Sequence, residues 1–284
     1  MTSGATLGYS SPPHDCAMTQ PIGIFDSGIG GLSVLKALRA ELPHEDFIYI
    51  ADSGHAPYGE RDDVHVVARS LAIAAYLAQQ DIKALVVACN TATAAAIEVL
   101  RATYPKLPII GVEPALKPAV QLSQTKHIGV LATRSTLGSD KFKVLLQSQA
   151  SLATFTVQPC DGLADAIERS VSTDDATEAI ASCARFMWAM GVFGIQKGQI
   201  DTLVLGCTHY PFAEQHLRKL LGPDVQLVAT GEAIARQTRR QIAVACSTSA
   251  AGKTSLFSTG NPQGLQAAAR AWLGLREAPR LLRI

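Results

Sequence analysis

Charge is scarce in this chain and almost balanced. Charged residues make up 17% of the 284 positions, against roughly 25% in an average domain, and the formal net charge is +1. No basic stripe is present, so the sequence predicts neither a nucleic-acid partner nor binding to a membrane surface. No apolar run approaches the ~20 residues of a membrane-spanning helix. Residues 1–20 lack the features of a secretory signal, and we therefore expect a cytoplasmic protein.

The six cysteines lack the spacing of a metal site. No CxxC pair and no Cys/His ladder occurs, so a structural zinc ion is not expected, and we interpret the cysteines as reduced thiols. No lysine stands at the strand ends described below, so a pyridoxal phosphate site is not expected either. The sequence thus predicts neither a metal nor a cofactor. The six cysteines are Cys16, Cys89, Cys160, Cys183, Cys207 and Cys246.

Two of these cysteines lie in similar short motifs, one in each half of the chain. Residues 85–91 are LVVACNT and residues 203–209 are LVLGCTH. An apolar run bounded by a polar turn is typical of a buried parallel strand, and ligands bind beyond the carboxyl ends of such strands. We therefore expect Cys89 and Cys207 to face one pocket. A helix that begins just after each cysteine should lower the pKa of its thiol.

Strand-like and helical patterns alternate along the whole chain, which predicts an α/β fold with doubly wound parallel sheets. The pattern of residues 22–27 (IGIFDS) restarts at 128–133 (IGVLAT), and a loop is predicted at 188–199. True duplication and the general likeness of α/β half-domains both account for this echo. Strands are predicted at 21–25, 47–51, 84–88, 107–112, 225–228 and 254–257, and helices at 31–42, 62–80, 91–103, 211–221, 231–245 and 262–273.

This organisation predicts two similar doubly wound parallel-sheet domains that face each other across a cleft. Residues 1–20 form a flexible N-terminal extension, 21–113 plus 226–284 form the first domain, and 114–225 form the second. Clefts between domains are preferred ligand sites, so we expect the substrate to bind there.

The first strand leads into a glycine-rich turn at residues 26–31 (DSGIGG). Such a turn brings backbone N–H groups to an anion, and Asp52 ends the second strand about where a ribose-binding acid would stand. A dinucleotide site is therefore an open alternative. Against it, Ser33 takes the place of the third glycine, and Asp26 puts a carboxylate beside the pyrophosphate position.

Hydroxyl, amide and imidazole side chains follow the two cysteines. Asn90, Thr91 and Thr208 can cap a helix or bind a substrate, and His209 can polarise or protonate a neighbour. In the turn at 56–59 (APYG), the tyrosine either contacts a ligand or packs as an ordinary aromatic. Two-base proton transfer at a carbon atom fits this inventory, because one thiolate can take a proton from one face while the opposing thiol delivers one to the other.

Four motifs in this order resemble those of the glutamate racemases, within the cofactor-independent aspartate/glutamate racemase family. They are IGIFDSGIGGL (22–32), DS (52–53) with PYG (57–59), ACNTA (88–92) and LGCTHYP (205–211). The resemblance covers about residues 21–273. It implies two like α/β domains with glutamate between them, and a D-glutamate product that supplies peptidoglycan synthesis.

The resemblance also implies roles for single residues. Cys89 is the base for the α-proton of D-glutamate and Cys207 the base for that of L-glutamate, with Asp26 and His209 as their respective supporting groups. Glu168 corresponds to the family's supporting glutamate. The residues that bind substrate are Asp26, Ser27, Pro57, Tyr58, Gly59, Asn90, Thr91, Thr136, Thr208 and His209.

Two positions depart from the pattern that the resemblance implies. The supporting glutamate is located by its distance from a cysteine eight residues before it, which here is Cys160. In the family a proline directly follows that cysteine, whereas here Asp161 does. Arg134 interrupts the threonine loop at 133–136, and the resemblance assigns it no role.

The resemblance also suggests a regulatory ligand, and several alternative functions stay open. The resemblance implies that some relatives with an N-terminal extension are activated by a cell-wall precursor, so residues 1–20 suggest a UDP-N-acetylmuramoyl-alanine type activator. A homodimer is also expected. The open alternatives are an aspartate racemase or a maleate or hydantoin isomerase on the same scaffold, a nucleotide-dependent enzyme or binding module that uses the glycine turn, and a non-catalytic protein that binds a partner.

Overall fold

A computed structural model describes residues 20–242 and 251–284, in which one or two α-helices lie between successive strands. The strands are β1 (Ile22–Asp26), β2 (Phe47–Ala51), β3 (Ala84–Val87), β4 (Ile109–Gly111), β5 (His127–Ala132), β6 (Thr154–Pro159), β7 (Thr202–Gly206), β8 (Gln226–Val228), β9 (Thr254–Ser258) and β10 (Arg280–Leu281). The helices are α1 (Leu32–Glu41), α2 (Asp63–Gln79), α3 (Asn90–Thr103), α4 (Leu116–Leu122), α5 (Arg134–Gly138), α6 (Asp140–Gln149), α7 (Leu163–Thr173), α8 (Thr177–Met190), α9 (Glu214–Leu221), α10 (Gly231–Gln241) and α11 (Pro262–Leu273).

The strands form two sheets, and neighbouring strands within each sheet are parallel. The larger sheet has the order β10-β9-β2-β1-β3-β4 and the smaller one β6-β5-β7-β8. The order β2-β1-β3-β4 is therefore repeated as β6-β5-β7-β8. The predicted α/β fold with two similar parallel-sheet units is confirmed.

Each sheet is buried on both faces. In β1, Ile24 packs into one apolar cluster together with α1, while the next residue, Phe25, packs into another together with α2. In β5, Val130 packs with α4 and Leu131 with α8. Strands that are covered on both faces need apolar side chains at successive positions, which explains the uninterrupted apolar runs of the sequence.

One strand lies in a different sheet from the one that we predicted. Residues 226–228 were assigned to the first domain, but β8 pairs with β7 in the smaller sheet. The reason is the crossover through α9, which returns the chain parallel to β7 and so extends the sheet that it has just left. The chain rejoins the larger sheet only with β9. The boundary at 225/226 is therefore wrong by one strand, and the other domain boundaries stay predictions.

The predicted loop at 188–199 begins later than expected, because α8 continues to Met190 and ends at Gly191, which has a φ of 107°. Residues 1–19, the end of the helix predicted at 231–245, Cys16 and Cys246 lie outside the described residues. Among the residues that the structure describes, no helix is long and apolar enough to cross a membrane.

Candidate active site

A cavity of about 240 Å³ lies where the carboxyl ends of the two sheets meet. Its walls are the turns that follow β1, β2 and β3 of the larger sheet and β5, β6 and β7 of the smaller one. Cys89 and Cys207 both line it. The volume is below the ~300–1,000 Å³ of sites for drug-sized ligands, so the cavity suits a small metabolite.

Cys89 is the N-cap residue of α3. Its Sγ accepts a hydrogen bond from the backbone N–H of Ala92 at 3.4 Å and donates to Oγ of Ser27 at 3.7 Å. Burial raises the pKa of this thiol, and the nearby carboxylate of Asp26 raises it further. The hydrogen bond from Ala92 at the helix N-terminus does act to lower this pKa, but the expectation of a lowered pKa for Cys89 is wrong overall, because desolvation outweighs that hydrogen bond.

Asp26 lies beside Cys89 at the end of β1 and is fully buried. Its Oδ2 accepts hydrogen bonds from the N–H of Gly31 at 2.7 Å and from Oγ1 of Thr208 at 3.4 Å. Its Oδ1 has no partner among residues 20–242 and 251–284. Burial raises the pKa of Asp26, although the neighbouring His209 opposes the shift. A carboxyl group with a raised pKa is suited to exchange a proton with the adjacent thiol.

Cys207 is the end of a chain of three side chains. Its Sγ lies 3.6 Å from Nδ1 of His209, and Nε2 of His209 lies 2.7 Å from Oε1 of Glu168. Burial acts to lower the pKa of His209, but the contacts with Cys207 and Glu168 outweigh it and raise this pKa well above its usual value. Burial acts to raise the pKa of Glu168, but the hydrogen bond from His209 outweighs it and holds this pKa below its usual value. The contacts with the sulfur and the carboxylate therefore favour the protonated form of the imidazole.

The glycine turn makes room for this chain of side chains. A Cβ on Gly28 would overlap the carboxylate of Glu168, and a Cβ on Gly30 would overlap the imidazole ring of His209. The glycines are thus needed because the side chains of Glu168 on α7 and His209 in the turn after β7 approach the backbone here.

The dinucleotide alternative finds no support in this geometry. The backbone N–H groups of Ile29 and Gly31 already donate to the carboxylates of Glu168 and Asp26, respectively. Asp52, the candidate ribose acid, accepts hydrogen bonds from Nη2 and Nε of Arg69 at 2.9 and 3.0 Å and from Oη of Tyr58 at 2.5 Å. Neither these two amides nor Asp52 is left for a nucleotide.

Eight of the ten predicted substrate-binding residues line the cavity. Asp26 lies behind the lining, fully buried. Thr136 does not line the cavity either, because its Oγ1 lies 2.9 Å from Oγ1 of Thr133, which stands between it and the cavity wall. The eight lining residues are Ser27, Pro57, Tyr58, Gly59, Asn90, Thr91, Thr208 and His209.

Two of these eight differ in what they offer to a ligand. The hydroxyl of Tyr58 donates to Asp52, so Tyr58 presents its ring and backbone. Asn90 is 5% exposed, and neither its Oδ1 nor its Nδ2 has a partner in the described part of the chain. Because an unpaired buried amide is costly, Asn90 marks a place where polar ligand groups are expected to bind.

Comparison with known proteins agrees with this geometry. The family model Asp/Glu/Hydantoin racemase matches residues 31–238. The chain belongs to this racemase family. It is 46% identical over 266 residues to the glutamate racemase of Ralstonia nicotianae, a match that covers 93% of this chain and 92% of that protein. It is 47% identical over 222 residues to the glutamate racemase of Methylococcus capsulatus, covering 78% of this chain and 79% of that protein.

Solved racemase structures share the fold. Glutamate racemase isoform RacE1 from Bacillus anthracis superposes with a TM-score of 0.82 at 30% identity, covering 93% of this chain and 98% of that chain. Escherichia coli glutamate racemase, solved in complex with L-glutamate and the activator UDP-MurNAc-ala, gives a TM-score of 0.80 at 29% identity, covering 93% and 99%. The prediction of an isomerase of the racemase type is confirmed.

Sequence reasoning missed several residues of this racemase site. Thr133 lines the cavity, and its Oγ1 lies 3.2 Å from that of Thr91, which follows β3 of the other sheet. The echo between residues 22–27 and 128–133 could have found it, since it matches Thr133 with a predicted binding residue, Ser27. Cys160, interpreted from the sequence only as a reduced thiol, also lines the cavity. Ser33, noted only as a missing glycine, donates to the carbonyl of Thr208 at 2.7 Å.

Proposed function

We propose that this racemase interconverts L- and D-glutamate without a cofactor by moving a proton between the α-carbon and two thiols, Cys89 and Cys207. The observation that carries the proposal is the placement of these thiols at the ends of β3 and β7, which occupy matching positions in the two sheets, in the wall of one cavity. A proton that leaves one face of a carbon and is replaced on the other inverts that carbon.

The groups beside each thiol support an assignment of which thiol removes the α-proton of L-glutamate and which one delivers a proton. The imidazolium of His209 stabilises negative charge on Sγ of Cys207, so this sulfur is suited to take the α-proton of L-glutamate. Cys89 keeps its proton because burial raises its pKa, so it is suited to deliver that proton to the opposite face. In the reverse direction Cys89 must first lose its proton, and the adjacent Asp26 is suited to accept it.

The substrate's α-carboxylate is proposed to bind at the N-terminus of α3. The unpaired amide of Asn90 and the hydroxyl groups of Ser27, Thr91 and Thr208 line the cavity there. A helix N-terminus favours an anion, and donors fixed around a carboxylate stabilise the charge that develops when the α-proton leaves. The relatives named above, one of them solved with L-glutamate, support glutamate as the substrate.

We further propose that the D-glutamate formed supplies cytoplasmic peptidoglycan synthesis, and with it cell-wall formation and cell shape. An activator of the UDP-N-acetylmuramoyl-alanine type is proposed because the Escherichia coli structure contains one. Addition of this compound should raise the racemisation rate of the full-length protein, and an unchanged rate counts against the proposed activation. The homodimer stays a prediction that light scattering after size-exclusion chromatography can check.

The proposed reaction can be tested by incubating the protein with L-glutamate in D2O without added cofactor. The α-proton signal in the NMR spectrum should disappear while D-glutamate accumulates. Parallel samples with L-aspartate test whether the protein is an aspartate racemase instead. A thermal melt with NADH tests whether it binds a nucleotide, which would raise the melting temperature. The proposal is wrong if glutamate keeps its α-proton over many hours, or if aspartate exchanges much faster than glutamate.

A further inference from the structure

An ion pair at the mouth of the cavity has no part in the mechanism proposed above. Arg134, the first residue of α5, pairs through Nη2 and Nε with Oδ2 of Asp161, which lies just before α7; the Nε distance is 3.2 Å. Both residues line the cavity. Their side chains are nevertheless 70% and 53% exposed, so the pair lies at the rim, where a substrate enters.

The rim would be strongly acidic without this arginine. Arg134 is the one Lys or Arg among the described residues that line the cavity. Four carboxylates line the cavity, those of Glu60, Asp161, Asp165 and Glu168. Glu168 is paired with His209, and Asp165 with an arginine one turn along α7. Within residues 20–242 and 251–284, Glu60 makes no ion pair, so loss of Arg134 would leave two carboxylates unneutralised at the mouth.

We propose that Arg134 admits and selects anionic substrates, because its guanidinium, held at the rim by Asp161, offsets the carboxylates that a substrate must pass. The inference rests on the proposed function, in which the substrate is an amino acid with two carboxylates and one ammonium group. A charge at the mouth acts on the association and affinity of a charged ligand. It leaves the proton transfers at Cys89 and Cys207 unaffected.

The test compares Arg134→Ala, Arg134→Lys and a matched control, Arg236→Ala, whose arginine makes an exposed ion pair with Glu232 on α10. The KM and kcat for L-glutamate are measured at low and at high ionic strength. Arg134→Ala should raise KM ~10-fold at low salt with kcat nearly unchanged, in line with electrostatic steering. High salt should shrink the difference, because screening weakens exposed charges. Lysine should restore most of the affinity, and the control should behave as the parent.

The proposal is overturned if Arg134→Ala leaves KM unchanged, if the KM change does not respond to salt, or if Arg134→Lys is as impaired as Arg134→Ala. Circular dichroism melts check that each variant is folded, and the lysine variant keeps the test decisive should the alanine variant unfold. Failure of the proposed function has a different signature, since the parent protein itself would then not exchange the α-proton of glutamate.

Discussion

Nε2 of His209 lies 2.7 Å from Oε1 of Glu168, which joins the turn after β7 to α7. The other ring nitrogen of this histidine faces Cys207, whereas Cys89 has the carboxylate of Asp26 beside it. The two halves of the site therefore share a strand topology but surround their thiols with opposite charge.

Glu168→Gln removes the carboxylate that raises the pKa of His209. The pKa of His209 should then fall, so the alkaline limb of the pH profile for the L-to-D reaction should move to lower pH. NMR titration of the His209 ring provides the second measurement. Glu232→Gln, an exposed glutamate on α10, serves as the control and should leave the profile unchanged. An unshifted alkaline limb would contradict the assignment of His209 as a cation.

The same variant should lose stability in a pH-dependent way. Glu168 has a lowered pKa in the folded protein, so its contribution is present above its unfolded value near 4.5 and is lost as the pH falls through the folded value. His209 has a raised pKa, so its contribution fades as the pH rises through that value. Near neutral pH, Glu168→Gln should lower the free energy of unfolding by about 1.5–3 kcal/mol, as for a hydrogen bond to a charged group. Urea unfolding should show a smaller difference in acid.

Serine at either active-site cysteine should abolish racemisation, but the two variants should differ in exchange. Cys207→Ser should still exchange the α-proton of D-glutamate in D2O, because Cys89 can remove and return a proton on the same face. Cys89→Ser should show the opposite preference, for L-glutamate. Cys183→Ser is the matched control, since Cys183 is buried outside the cavity lining. Parent-level racemisation in either active-site variant would rule out the two-thiol mechanism.

Gly30→Ala should displace the imidazole of His209, because the new Cβ would overlap the ring. A displacement on the order of 1 Å costs up to ~100-fold in rate, so we expect kcat to fall by about 10- to 100-fold in a folded protein. Gly138→Ala in α5 is the control, because its Cβ would meet no atom within 4 Å. Equal kcat values for the two variants would show that the glycine turn does not position His209.

Asn90→Ala should weaken substrate binding without destabilising the empty protein. The amide has no partner among the described residues, so its removal breaks no hydrogen bond and relieves a desolvation cost. The melting temperature without ligand should stay level or rise, and the increase caused by L-glutamate should shrink, because that increase depends on the ratio of ligand concentration to Kd. A large loss of stability without ligand would instead indicate a structural role.

Much of the fold was predictable because burial on both faces leaves a direct mark in the sequence. Strands such as β1 and β7 are uninterrupted apolar runs, and their positions were predicted correctly. β6 was not predicted, because it is an edge strand whose residues are half-buried or exposed and it has no such run. The sheet that contains β8 was mispredicted, because three residues carry no information about which neighbour they will pair with.

The local parts of the site can be recognised from the amino-acid sequence: two matching strands, each followed by a cysteine and polar donors, and a glycine turn after the first strand. Local spacing and burial are enough for that. Which side chains meet depends on the folded chain. His209 contacts Glu168, 41 residues away, and Arg134 contacts Asp161, 27 residues away. These contacts, and the burial that raises the pKa of Cys89, depend on how turns from different strands pack together, which no local pattern encodes.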